Sequence, residues 1–235
     1  MVELLYTGDK MSIRRLIQDL SWVKWTNDQD PIHQVRDLLE EFWAEGRDNV
    51  LQYIAEYLAG LEYPEPAVMR TAELHSWKLY RTPVWDLTLN LFQEYDGNRQ
   101  ESQNIHNHTR ELVSLTLTGG YRQNYYIPLK PLDEYCNGNE FVITDLWSAD
   151  SADLMVRYGP STFPGHIYDI DTETFHALTS FEPGTMTLVV YGPLRQQEIV
   201  CFNQLSGRVE RRCTATNAKN QLIKQLNKLC DKEDC

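Results

Sequence analysis

The spacing of apolar and polar positions divides the chain into a helical start and a longer, strand-rich remainder. Over residues 11–25, Ile13, Leu16, Ile17, Leu20 and Val23 recur at helical spacing, with Arg14, Arg15, Gln18 and Asp19 elsewhere on the wheel. Asp30-Pro31 has the form of an N-cap with proline at the first helical position, and Ile32, Val35, Leu38, Leu39 and Phe42 then share a face. A third helix is predicted from about Asp48, burying Val50, Leu51, Ile54 and Leu58 and stopping at Gly60. Such helices need a surface to pack on.

The prolines of Glu62-Tyr-Pro-Glu-Pro-Ala67 mark a change of class, and from about Ser76 the period falls to two. Trp85, Leu87, Leu89 and Leu91 alternate with Asp86, Thr88 and Asn90. Val113, Leu115 and Leu117 alternate in the same way with Ser114, Thr116 and Thr118. Turns at 97–102, Gly119-Gly120, Pro164-Gly165, 171–174 and 182–184, and a loop over 133–140, separate further strands predicted at 121–128, 141–146, 153–158, 166–170, 185–191 and 198–203. A last helix is predicted over 217–229, with Leu222, Ile223, Leu226 and Leu229 on one face. Short strands bracketed by helices predict a mainly β fold, a small barrel or jelly roll. Its expected organisation is one structural domain: a helical cap over 1–70, the barrel over 71–205, and a C-terminal helix with an acidic tail over 206–235.

Composition narrows this picture. A chain of 235 residues that is 42% hydrophobic can bury a full core without covalent staples. Its formal net charge of −12 argues against nucleic acid or an anionic membrane surface as a partner. No apolar run approaches the roughly 20 residues that span a bilayer, and the first residues lack the charge pattern of a secretory signal. The five cysteines, Cys136, Cys201, Cys213, Cys230 and Cys235, are odd in number, scattered and free of any Cys-x-x-Cys pair. That usage suits a reducing compartment, so the expected location is cytoplasmic.

The candidate chemistry sits in Ile105-His-Asn-His108. Residues two apart on a strand point to one face, so His106 and His108 aim both imidazoles at one place, and neutral imidazole is the commonest metal ligand. A third ligand from elsewhere completes a facial site for a divalent first-row metal, with His176 and His166 as candidates. Glu111 is a candidate fourth ligand, and His33 and His75 are expected to have no role. The histidines have even parity and the apolar positions odd parity, so a bulge or short turn is expected near residues 109–111.

Taken together, Gly97, His106-Asn-His108, Gly119-Gly120, Pro164-Gly165 and the later His176 resemble the two-part signature of the cupins. Over roughly residues 35 to 193 the chain is similar to the cysteine dioxygenase branch of that superfamily. The likeness rests on Tyr80-Arg81, the strand from Asp86 to Phe92, Ile105-His-Asn-His108, Phe175-His176 and Tyr191-Gly-Pro193. It implies a cupin barrel whose metal, iron(II), is held by His106, His108 and His176 without a carboxylate, and which acts with O2 on a small amino acid or thiol carboxylate. The glutamate of ordinary cupins has no counterpart at the usual spacing. The branch's Ser-x-His-x-Tyr run reads Thr187-Leu-Val-Val-Tyr191 here, keeping the tyrosine and replacing the histidine with Val189.

Arg81 shares strand parity with Trp85, Leu87, Leu89 and Leu91, which would point it inward to clamp a substrate carboxylate. Tyr191 lies on the face of Thr185, Thr187 and Val189, where its hydroxyl is the expected proton or hydrogen-bond donor. The alternative is a cupin that binds or isomerises a small molecule without oxygenase chemistry. A 2-oxoglutarate-dependent oxygenase wants His-x-Asp/Glu, and Asn107 makes this motif His-x-His.

Overall fold

A computed structural model of the chain describes residues 11–25, 30–60, 68–71, 74–93, 104–131, 143–145, 154–203 and 208–213. The expected turn at 97–102, the loop over 133–140, the helix over 217–229 and Cys136, Cys230 and Cys235 lie outside them.

The three N-terminal helices begin where the sequence carries start signals. Ser12 caps α1 (Ile13–Leu20), its hydroxyl accepting from the Arg15 amide at 3.2 Å. Asp30 caps α2 (Pro31–Ala44) by accepting from the His33 amide at 3.1 Å, with proline in the first turn. Gly46, at φ +91°, precedes α3 (Arg47–Ala59), which ends at Gly60. No helix among the described residues is long and apolar enough to cross a membrane.

Thirteen strands follow among the described residues. They are β1 (Val68–Thr71), β2 (Leu74–Arg81), β3 (Asp86–Phe92), β4 (Ile105–His106), β5 (Arg110–Thr118), β6 (Tyr121–Pro128) and β7 (Ile143–Asp145). Then come β8 (Leu154–Ser161), β9 (Ile167–Ile170), β10 (Phe175–Phe181), β11 (Met186–Leu194), β12 (Glu198–Asn203) and β13 (Arg208–Cys213). One sheet runs β1-β2-β3-β11-β5-β9 and the other β13-β12-β4-β10-β6-β8-β7. Among the described residues every pairing is antiparallel except β7 with β8. Sequence-distant strands are interleaved in two sheets, as in a jelly roll, and the fold is mainly β with a helical cap. The edge strands β1 and β13 were not expected from the sequence.

The cap settles which face of the first sheet is which. Leu79, Trp85, Leu87, Leu89, Val113, Leu115, Leu117, Leu188 and Val190 form one buried cluster with Leu16, Leu20, Val35, Leu39, Phe42 and Val50 of the helices. At about 1.5–3 kcal/mol for each fully buried large apolar side chain, this contact is a principal source of stability. The apolar stripe of the strands therefore looks outward to the helices, and the inward face is polar. Cross-strand partners share a face, which gives successive inner rows of Arg81, Asp86, Tyr191, Leu112 and Ile170, then Lys78, Thr88, Val189, Ser114 and Tyr168, then Ser76, Asn90, Thr187 and Thr116.

Helix and barrel are fastened at defined points. Arg36 of α2 pairs with Asp169 of β9. Trp43 of the same helix lies against Gly165, where φ is +88° and a Cβ would come within 2.4 Å of the indole nitrogen. Only glycine meets both conditions, so the Pro164-Gly165 turn doubles as the seat of a helix side chain.

Candidate metal centre

His176 on β10 lies directly opposite His106 on β4, so strand pairing alone puts two imidazoles side by side on one face. The chain then leaves the second sheet, passes through residues 107–109 and enters the first sheet at Arg110. The break expected near residues 109–111 is thus a crossover between sheets, and His108 projects from it rather than from the strand of His106.

That crossover is held from several sides. Buried Asn107 donates to the Thr172 carbonyl at 3.1 Å and accepts from the Val200 amide at 2.8 Å. Gln196 donates to the carbonyl of His108 at 2.6 Å and to that of Thr172 at 3.1 Å. The amides of Arg195 and Gln196 both donate to the Thr109 carbonyl, at 2.9 and 3.3 Å. A side chain on so many anchors needs little reorganisation to present its ring.

The three rings converge. Their centroids are 4.8 Å apart for His106 and His176, 4.9 Å for His108 and His176, and 5.1 Å for His106 and His108. One ligand nitrogen from each lies within 4.8 Å of the other two. The Nε2 atoms of His108 and His176 are 2.8 Å apart. Two nitrogens bound about 2.0–2.1 Å from one ion at a right angle would lie about 2.9 Å apart, so this edge matches a shared metal.

Proton placement fits as well. His106 Nδ1 faces the Asn104 carbonyl at 3.0 Å, and a carbonyl can only accept, so the proton is on Nδ1 and Nε2 keeps its lone pair. His176 Nδ1 faces the Gln123 side-chain oxygen at 3.1 Å, with the same result. Burial, then the neighbouring His106 and His108, hold the His176 pKa well below the usual imidazole range, so this ring is neutral at neutral pH. Three converging imidazoles, two of them backed by acceptors on Nδ1, are the donor set of a divalent first-row metal site, and these residues fit one.

The other candidates fall elsewhere. His166 stacks between Phe163 and Tyr168, its Nδ1 buried without a partner among the described residues, and stands outside the cluster. Glu111 pairs with Arg195 at 3.5 Å and is likewise outside it. His33 is exposed on α2, and His75 lies in β2 against Trp77.

Arg81 reaches the inner face by a different route from the one expected. Trp85, Leu87 and Leu89, with which it was grouped, face the helices; a turn at 82–85 intervenes, and Arg81 pairs across the sheet with Asp86. Its side chain is 59% exposed and sits 4.0 Å from the Asp86 carboxylate, which Lys78 and Arg110 also approach at 3.3 and 3.2 Å. One buried carboxylate thus gathers three cations at the end of the barrel where β5 enters, two residues from His108.

Tyr191 packs on the inner face with Leu112, Ile170, Val189, Tyr125 and Tyr168. Tyr125 is the other cross-strand neighbour of His176. Tyr121 and Tyr168 share a hydrogen bond deeper in the barrel; burial lifts the first well above its ordinary pKa and the second to about 12. Burial, then Asp169, raises Tyr125 as well, so these hydroxyls stay protonated. Sequence reasoning missed Asn107 as an anchor, and Gln123, Tyr125 and Gln196 altogether. Only the two-residue spacing of Gln123 and Tyr125 on one strand hinted that they share a face.

No protein-family profile matches the chain, and no curated protein matches it. Among solved structures it is similar to KdgF from Halomonas sp., at 13% identity over 55% of this chain and 88% of that one, with a TM-score of 0.34. It is also similar to an RmlC-like cupin protein from Ralstonia eutropha JMP134, at 11% identity over 69% and 80% of the two chains, TM-score 0.35. A putative sugar phosphate isomerase from Acidithiobacillus ferrooxidans matches at 11% identity over 68% and 89%, TM-score 0.35. With scores this low, the fold assignment stands on the strand order and register, and the site on its own geometry.

Proposed function

We propose that His106, His108 and His176 hold a divalent first-row metal, iron(II) foremost, and that the chain is a cupin oxygenase similar to cysteine dioxygenase. On this reading it acts with O2 on a small amino acid or thiol carboxylate, and nucleic acid and membrane play no part. The observation that carries the reading is the convergence of three imidazoles with no carboxylate in their cluster among the described residues. A metal so held keeps its full +2 charge and open positions, which suits binding an anionic donor and activating oxygen.

The protein's own contribution is placement. His106 and His176 are fixed by sheet pairing and by acceptors on Nδ1, and His108 by the anchored crossover. The cations around Asp86 supply a carboxylate-binding edge, with Arg81 the most accessible of them. Tyr191, on the same inner face, is the proton or hydrogen-bond donor toward the reacting molecule.

One observation favours a second reading, a cupin that binds or isomerises a hydroxylated molecule. The inner rows are rich in hydroxyls and amides, and Thr88 Oγ1 and Thr116 Oγ1 have no hydrogen-bond partner among the described residues. Oxygen uptake by iron(II)-loaded protein separates the two, with L-cysteine, 3-mercaptopropionate and glycine as the panel. The oxygenase reading expects uptake with a thiol substrate, lost in His106→Ala and His176→Ala, and a KM raised more than tenfold in Arg81→Ala with a smaller change in kcat. Stoichiometric metal with no uptake on any of the three would leave the binding or isomerase reading in its place.

A further inference from the structure

His106 and His176 are set in their metal-binding tautomers by partners of different kinds. The partner of His106 is a backbone carbonyl, which accepts and never donates. The partner of His176 is the fully buried side chain of Gln123, and an amide can present either end. With its oxygen toward His176, Nδ1 carries the proton and Nε2 is bare for a metal. Turned over, the amide nitrogen donates to Nδ1, the proton moves to Nε2, and that Nε2–H can donate to His108 Nε2, 2.8 Å away.

The far end of the amide touches Tyr125. In the arrangement seen, Gln123 Nε2 donates to the Tyr125 hydroxyl at 3.0 Å, so that hydroxyl accepts and its own proton must point elsewhere. Tyr125 makes no second hydrogen bond among the described residues, and it packs with Leu112, Ile170, Val189 and Tyr191 on the inner face, with Asp169 the acid that acts on it. With the amide turned over, Tyr125 would instead donate to Gln123 Oε1. The arrangement that frees His176 for a metal is therefore the one that releases the Tyr125 proton into the barrel.

We propose that Gln123 is a positioning residue that sets the tautomer of His176 and thereby couples metal loading to the direction of the Tyr125 hydroxyl. This rests on the three-histidine metal reading above. Loading the site turns Tyr125 into an inward-facing donor, and the coupling is reciprocal. Tyr125, rather than Tyr191 alone, is then a donor available to a small molecule bound beside the metal.

The test is zinc(II) affinity, measured by competition with a chromophoric chelator, for the full chain and three variants. It is joined to ¹⁵N NMR of the His176 ring in the metal-free protein. Gln123→Met removes the acceptor, and zinc affinity is expected to fall about 10–100-fold. Gln123→Glu accepts from His176 and Tyr125 at once, so it is expected to bind zinc at least as tightly as the native chain and to hold His176 with its proton on Nδ1. Tyr125→Phe removes the competing donor, so its affinity is expected to stay within threefold of native or to rise. A packing role alone would weaken all three variants.

The proposal is overturned by native-like zinc affinity in Gln123→Met, or by losses in Gln123→Glu and Tyr125→Phe as large as the loss in Gln123→Met. A native chain that takes up no zinc would instead remove the metal reading. The NMR comparison would still judge the Gln123–His176 link, because identical His176 tautomers in Gln123→Glu and Gln123→Met would remove that link separately.

Discussion

His166 shows at the scale of one residue what separates a buried histidine from a metal-seeking one. It stands just before a strand, after a Pro-Gly turn, as His176 stands near the start of one after its own turn, and the residues beside each give no sign of which will bind. What distinguishes them is across the fold: a Gln123 oxygen behind His176, but the Phe163 and Tyr168 rings against His166, with its Nδ1 unmatched among the described residues. Burial, then the Arg36 guanidinium, lowers the His166 pKa; Asp169, paired to that arginine, is the nearby acid. A folded-state pKa below the ordinary value means the unfolded chain takes the proton first. Stability is thus complete above about pH 6.5 and drains as the pH falls toward the lowered value. His166→Phe keeps the stacking and removes the titration. Its stability at pH 7.5 is expected to equal or exceed that of the native chain, and urea midpoints between pH 7.5 and 5 should fall less steeply than native ones. Parallel midpoint curves would count against this account.

Elements were legible where one periodicity ran unbroken and obscure where the chain changed sheets. The helices were readable from caps and apolar spacing, and β3, β5 and β11 from strict alternation. β1 and β13 were not: the four residues Val68-Met-Arg-Thr71 are too few to establish a period. The run Arg208-Val-Glu-Arg-Arg-Cys213 is too charged to show a period of two. The His106-to-Arg110 segment was half legible: the parity conflict announced a break, but only the sheet order shows a crossover. Asn107 is the residue on which that crossover turns. In Asn107→Ala the Val200 amide loses its side-chain acceptor, while the Thr172 carbonyl keeps Gln196. The expected cost is about 1–3 kcal/mol in metal-free urea unfolding, the penalty of a buried polar group left unmatched. Because His108 is the next residue, zinc affinity should fall as well. Native-like values on both counts would mean that Arg195 and Gln196 hold the crossover without Asn107.

At the scale of the molecule, alternation gave the two faces of each strand without saying which was inside. An apolar face ordinarily marks the core, but a barrel roofed by helices can turn that face outward, and here Leu87, Leu115 and Leu188 lie under the helices while Asp86, Ser114 and Thr187 look in. The helices thus allow a polar interior at no loss of apolar burial, and the three histidines stand at its edge. Two of them belong to the second sheet and the third to the crossover into the first, so an ion held by all three ties the sheets together beyond their packing. Such an ion binds the folded chain alone and stabilises it by mass action. Zinc(II) free at about a hundred times its dissociation constant adds about 2.7 kcal/mol, which for a chain of this size raises the unfolding temperature by roughly 5–11 °C. Differential scanning calorimetry with and without zinc is expected to show that rise in the native chain and its loss in His106→Ala and in His176→Ala. A chelator should return the native chain to its metal-free value. If both variants rose as far as the native chain, the ion would be bound somewhere other than these three rings, and the two sheets would owe their alignment to packing alone.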